Sequence, residues 1–172
     1  MAEFNSCAKL KEQVNQGLSK HKDLLEDKVD PFTEMYEMQL QLQEELHKRL
    51  PQNNPDPKKL EKIGEIFEWI RDQKQSIDDE YRELIDALPG MSMNEKDRSA
   101  IWKKWKSKYS EIREHKLSEL SEDDMLELKF EFVDIMHFIL NIMISLKLSP
   151  KEVFALYFAK NAENFRRYKN NY

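Results

Sequence analysis

Residues 122–147 read EDDMLELKFEFVDIMHFILNIMISLK, a stretch with neither glycine nor proline that opens on three acids. Acids suit the positive end of a helix dipole. Wound as a helix at about 100° per residue, the stretch puts Glu127, Glu131, Asp134, His137, Asn141 and Ser145 within one third of the circumference. Phe132, Val133, Ile135, Met136, Ile139, Leu140, Ile142, Met143 and Leu146 fill the rest. Apolar residues over most of the circumference predict a central helix surrounded by others.

The same character extends outward. Between Gly90 and Pro150 lie 59 residues with no glycine or proline, rich in Glu, Lys, Leu, Ile and Met, which fits two long helices. Only three glycines occur in 172 residues, too few to close the turns of a many-stranded sandwich or barrel. The chain therefore reads as one all-α domain over 1–172, a bundle of about six helices. Asp30-Pro31 and Asp56-Pro57 each set a capping acid before a proline at the first helical position. Ser92 with Glu95 and Ser149 with Glu152 have capping-box spacing, and Ser121 precedes three acids. The expected helices span 4–26, 31–50, 57–88, 93–118, 122–147 and 150–168. In the third, Ile63, Ile66, Phe67, Ile70, Ile77, Tyr81, Leu84, Ile85 and Leu88 follow the spacing of one packed face.

Composition narrows the function. With 33 acids against 28 bases the formal charge is −5, which weighs against a protein that coats nucleic acid but not against a small phosphorylated ligand. A lone Cys7 and an amino-terminal MAEFNSCAKLKEQ without an apolar signal core point to a reducing cytoplasm. Charged and polar residues interrupt the most apolar run, Phe130 to Leu148, so a membrane-spanning helix is not expected.

The acids on the helix at 122–147 need partners, because an ionised carboxylate loses several kcal/mol of solvation on burial. Glu131 and Asp134, three residues apart, would meet either a Lys or Arg from a neighbouring helix or a bound metal. Asp79, Glu80 and Glu83 repeat the close acidic spacing beside the apolar face of the third helix. Two facing pairs would make a cage of four carboxylates suited to Mg²⁺ or Mn²⁺; the alternative for the third helix is a solvated acidic rim.

Two basic segments stand out. IWKKWKSKYS, Ile101 to Ser110, places Trp102, Trp105 and Tyr109 at helical spacing among Lys103, Lys104, Lys106 and Lys108, which reads as a core stripe or as a base-stacking and phosphate element. In LYFAKNAENFRRYKNNY, Lys160, Asn161, Asn164 and Arg167 share one helix face, which reads as a polyphosphate clamp or as an ordinary basic helix end. His137 lies in the polar stripe; His21, His47 and His115 are isolated. There is no Ser-His-Asp order, glycine-rich phosphate loop or cysteine cluster. Glu44-x-x-His47 and Asp134-x-x-His137 imitate the pairs of di-iron carboxylate bundles, an alternative reading beside that of a non-enzymatic acidic interaction module.

Asp79-Glu80-Tyr81-Arg82-Glu83 followed by Glu131-Phe132-Val133-Asp134 resembles the paired E-E-x-x-E and E-x-x-D motifs of all-α nucleoside triphosphate pyrophosphatases. MQLQLQEEL at 38–46, WKKWK, VDIMHF at 133–138 and YFAKNAENFRR at 157–167 follow in the order of the dimeric dUTPase-like branch. QSIDDEYREL, SAIWKKWK, LELKFEFVDIMHFILN and KNAENF together are similar to the dCTPase/dUTPase family of T-even type bacteriophages. The resemblance covers almost the whole chain. It implies Mg²⁺-dependent conversion of dCTP and dUTP to monophosphates and pyrophosphate, clearing dCTP where phage DNA carries a modified cytosine, by a homodimer in the host cytoplasm.

By motif, Glu80, Glu83, Glu131 and Asp134 would be the catalytic metal ligands, with Asp79 beside them. Lys160, Asn161, Asn164 and Arg167, with Lys103 and Lys106, would hold phosphates. Gln39, Gln43, Trp102, Trp105, His137 and Asn141 would contact the base. Gln43 stands where dUTPase relatives commonly have Asn, which suits a pocket that accepts cytosine. Tyr168 and Asn171-Tyr172 stand where the family often has Gln and Gly-Tyr.

Overall fold

A computed structural model describes residues 7–169 of the chain, with side chains from residue 10 onward. The first residues of the helix expected from position 4, and Asn171-Tyr172, lie outside the described residues. Every described regular element is helical: α1 (Cys7–Glu26), α2 (Pro31–Arg49), α3 (Ile63–Ala87), α4 (Glu95–Arg98), α5 (Ser107–Glu114), α6 (Glu122–Ser145) and α7 (Pro150–Lys169). Short 3₁₀ turns occupy Pro57–Lys59, Ser99–Trp102 and Leu117–Glu119. The expected all-α fold is what forms. No single described helix is long and apolar enough to cross a membrane.

The chain divides into two compact units, residues 1–67 with 140–172, and residues 68–139. In the first, Asp30 caps α2 by accepting from the amides of Phe32 and Thr33, at 3.4 and 3.0 Å, and Pro31 starts the helix. Ser149 and Glu152 form the expected capping box on α7: the Ser149 amide donates to Glu152 at 3.0 Å and the Glu152 amide to Ser149 Oγ at 3.3 Å. Helix α2 packs against α1 and α7. Leu10, Leu40, Leu60, Leu140, Met143 and Ile144 are the buried apolar side chains of this unit.

Helix α3 begins at Ile63 and not at residue 57. Asp56 does cap at Pro57, accepting from the Lys58 amide at 3.0 Å, but it caps only a 3₁₀ turn. The Pro57 and Lys58 carbonyls are instead claimed by Lys147 Nζ, at 3.3 and 2.6 Å. Lys147 itself takes the left-handed conformation, φ 58°, just past the end of α6, and the Leu148 amide returns to Met143 O at 3.0 Å. This is a Schellman-like stop made without glycine, and it frees the lysine side chain to tie down the turn.

In the second unit, the single helix expected over 93–118 is broken into α4, a 3₁₀ turn and α5. Tertiary contacts override propensity there. Asn94, not Ser92, caps α4, accepting from the Asp97 amide at 3.0 Å. Arg98 donates to the Met91 and Met93 carbonyls, and Trp102 Nε1 donates to Asp86 at 2.5 Å. These bonds pin the chain in a non-helical path through Lys103–Lys106, so Trp102, Trp105 and Tyr109 do not form one stripe.

Ser92 serves a different element. Its amide and hydroxyl both donate to the buried Asp124 carboxylate at 2.7 Å, and Ser121 Oγ adds a third bond at 2.8 Å. Burial pushes the Asp124 carboxyl up, but the hydrogen bonds from Ser92 and Ser121 outweigh it and hold the group below its usual value. Trp69, Ala87, Ala100, Ile112 and Leu128 are the buried apolar side chains of this unit.

Two expectations about packing are corrected. Phe132, Val133 and Ile139 of α6 are exposed in the single chain, so α6 is not surrounded over its whole length; full burial is confined to Asp124 and Leu128 near its start and to Leu140–Ser145 apart from the half-buried Ile142. On α3, Ile63, Phe67 and Tyr81 are likewise exposed.

Gly90 is the position where glycine is required. Its φ is +94°, and a Cβ there would stand 3.1 Å from Leu120 Cδ2 and 3.2 Å from Asp124 Oδ2. Gly90→Ala is therefore expected to destabilise the protein by roughly 1–3 kcal/mol. Urea denaturation checks this: the midpoint should fall with the slope unchanged.

Candidate metal centre

The fifth and sixth turns of α3 and the third and fourth turns of α6 carry the acids that the sequence singled out, all within the second unit. Glu80 and Glu83 are separated by three residues, so both reach the same side of α3. Glu131 completes the set from α6: one carboxylate oxygen from each of Glu80, Glu83 and Glu131 lies within 4.8 Å of the others. Glu80, Glu131 and Asp134 are half-buried and Glu83 is exposed.

Electrostatics mark the cluster as strained by like charge. Glu131 is pushed up to about 7, by burial first and then by the charges of Glu83, Asp134, Glu80 and Glu127. Glu80 is raised by burial and by Asp134, Glu83 and Asp79. Burial raises Asp134, against a lowering by His137. Among the described residues, no Lys or Arg forms an ion pair with Glu80, Glu83, Glu131 or Asp134. The structural reading of the stripe, a basic side chain from a neighbouring helix, is not what these residues show.

Such a donor set fits a hard divalent cation: three convergent carboxylates, all oxygen, with no Lys or Arg among the described residues paired to them. Asp134 is not one of the three convergent groups but acts on both Glu80 and Glu131 through its charge. Asp79 is turned to Arg82, with which it pairs. The cluster contains no imidazole, and of the two pairs that suggested iron one is engaged elsewhere, since His47 Nδ1 donates to the Asn54 carbonyl at 2.8 Å and Glu44 lies 4.0 Å from Lys58, while the other, Asp134 with His137, lies beside the cluster.

The remaining predicted residues fall into separate groups. Gln39, Gln43 and Asn141 are all buried in the first unit, where Gln39 Nε2 donates to Asn141 Oδ1 at 2.7 Å. Lys160, Asn161, Asn164 and Arg167 are exposed on α7; Asn161 and Asn164 line a shallow groove of about 310 Å³ with Phe165 and Tyr168. In the second unit, Trp102 is half exposed and anchored to Asp86, Trp105 is 79% exposed, Lys106 is exposed, and Lys103 Nζ donates to Ser99 Oγ at 3.4 Å. His137 is exposed. Three residues escaped sequence reasoning. Glu127 stood in the polar stripe but was given no role, Asp86 orients Trp102, and Glu163 holds Arg167 at 3.0 Å. The signal for Glu163 was its spacing, three and four residues before two arginines.

An all-α protein with a cluster of convergent carboxylates is the class that fold and site define. The chain is 45% identical over 172 residues to a dCTP pyrophosphatase of Enterobacteria phage T4 and 44% identical over 172 residues to one of Enterobacteria phage LZ5, in each case over the full length of both chains. It is also 45% identical over 161 residues to a DNA replication protein of phage T4, covering 94% of this chain and 41% of that protein. No protein-family model and no solved structure matches it. The chain belongs to the dCTP pyrophosphatase family, a family of hydrolases.

The raised carboxyls set a pH dependence. An acid whose pKa is higher folded than unfolded binds more protons in the folded state, so stability falls as pH rises between the two values. For Glu131 that window runs from 4.5 to about 7. In EDTA, the urea midpoint is expected to drop between pH 5 and pH 8; millimolar Mg²⁺ should restore it at pH 8, and Glu131→Gln should flatten the dependence. A midpoint that rises over this window in EDTA would contradict the cluster.

Proposed function

We propose that the chain hydrolyses dCTP, and dUTP as a second substrate, to the monophosphate and pyrophosphate with Mg²⁺ or Mn²⁺. The observation that carries the reading is the convergence of Glu80, Glu83 and Glu131, with no Lys or Arg paired to them among the described residues, in a chain similar throughout to dCTP pyrophosphatases. Within phage-infected cells the activity would remove dCTP from the pool used for DNA synthesis.

In this reading Glu80, Glu83, Glu131 and Asp134 hold the cations. Bound divalent cations polarise phosphate oxygens and lower the pKa of the attacking water. Glu80 or Glu83 orients that water, and the raised carboxyl of Glu131 becomes an ionised ligand once positive charge stands beside it. On α7, Lys160 and Arg167 neutralise phosphate oxygens while Asn161 and Asn164 donate hydrogen bonds without adding charge; Lys103 and Lys106 add positive charge. Gln39 and Gln43 read the pyrimidine, with the Gln39–Asn141 bond fixing the orientation of one amide; His137, Trp102 and Trp105 contact the base. The exposed aromatic residues of α7, among them Phe154, Tyr157 and Phe158, supply an apolar surface for a homodimer.

Incubation with dCTP, dUTP, dTTP or dATP and Mg²⁺, followed by pyrophosphate assay, tests the assignment. Release is expected from dCTP and dUTP and not from dATP. Glu131→Gln should lower turnover more than about a hundred-fold, beyond the loss typical of groups one shell removed from a metal, while circular dichroism stays helical. Full activity in Glu131→Gln would sink the assignment.

A further inference from the structure

Glu163 is the one acid between Lys160 and Lys169, in the basic segment of α7. It accepts from Arg166 through both Nε and Nη2 at 2.7 Å, and from Arg167 Nε at 3.0 Å. Spacing of three and four residues puts all three side chains on one face of the helix. Hydrogen bonds from Arg166 and then Arg167 hold the Glu163 carboxyl down at about 2, so it is ionised throughout the neutral range. Each guanidinium N–H serves one oxygen well at a time, so the carboxylate of Glu163 competes with a phosphate for Arg167 Nε.

We propose that Glu163 is a positioning residue for the polyphosphate, acting through Arg167 as a counter-anion within the helix that limits the affinity of α7 for pyrophosphate and speeds its release. This rests on the reading of α7 as the phosphate-holding helix. Without such an anion, Arg167 would hold a highly charged product more tightly. The exposed, salt-screened setting keeps the effect modest.

Titration calorimetry with inorganic pyrophosphate at fixed Mg²⁺ tests it on Glu163→Gln, Arg167→Ala and the double variant, alongside steady-state kinetics with dCTP. Glu163→Gln is expected to bind pyrophosphate about two- to five-fold more tightly, with KM for dCTP and kcat both lower and helicity unchanged. Arg167→Ala should weaken pyrophosphate binding, and Glu163→Gln should add nothing in that background. Unchanged or weaker binding in Glu163→Gln, with Arg167→Ala impaired, overturns the role of Glu163 alone. Undiminished binding in Arg167→Ala overturns the reading of α7 and the proposal with it.

Discussion

Glu80, Glu83 and Glu131 crowd negative charge into a space where their oxygens lie within 4.8 Å of one another, and no Lys or Arg among the described residues relieves it. Carboxylates that converge this closely repel, and partial burial sharpens the repulsion by removing water. The rest of the second unit must hold them there. Trp69, Ala87 and Leu128 supply its buried apolar packing, and Asp124, with four hydrogen bonds from or to Ser92 and Ser121, fixes the start of α6. The tension is what a divalent cation would relieve, as the proposed function requires.

The chain's acidic surplus changes meaning in this light. A net charge of −5 weighs against contact with phosphate when it is spread evenly. Here a large part of it stands at one place, on α3 and α6, while basic groups gather on α7. Glu163 then tempers those bases from within the same helix, so positive charge is also held in check where it is concentrated.

Much of this was legible in the residues. The caps at Asp30 and Ser149, the helical content, and the acids at 80, 83, 131 and 134 follow from rules that act over three or four residues. The failures are equally specific. Ser92 has the spacing to cap a helix, yet it bonds to Asp124, 32 residues away. Asp56-Pro57 has the form of a long helix start, yet Lys147 takes the carbonyls of that turn from 90 and 89 residues away. Trp102 has the spacing of a stripe, yet Asp86 draws its ring aside. In each case a long-range hydrogen bond outweighs a local preference worth a fraction of a kcal/mol per residue.

By itself, then, the sequence determined an all-α chain, most helix starts and the identity of the acids, because periodicity and capping are properties of neighbours along the chain. Tertiary structure alone decided that Glu131 meets Glu80 and Glu83 while Asp134 acts from beside them, that Asp79 turns to Arg82, and that Gln39 bonds Asn141. Those outcomes depend on which groups approach across helices, and the energy of a charge or an amide depends on what stands a few ångströms away in space.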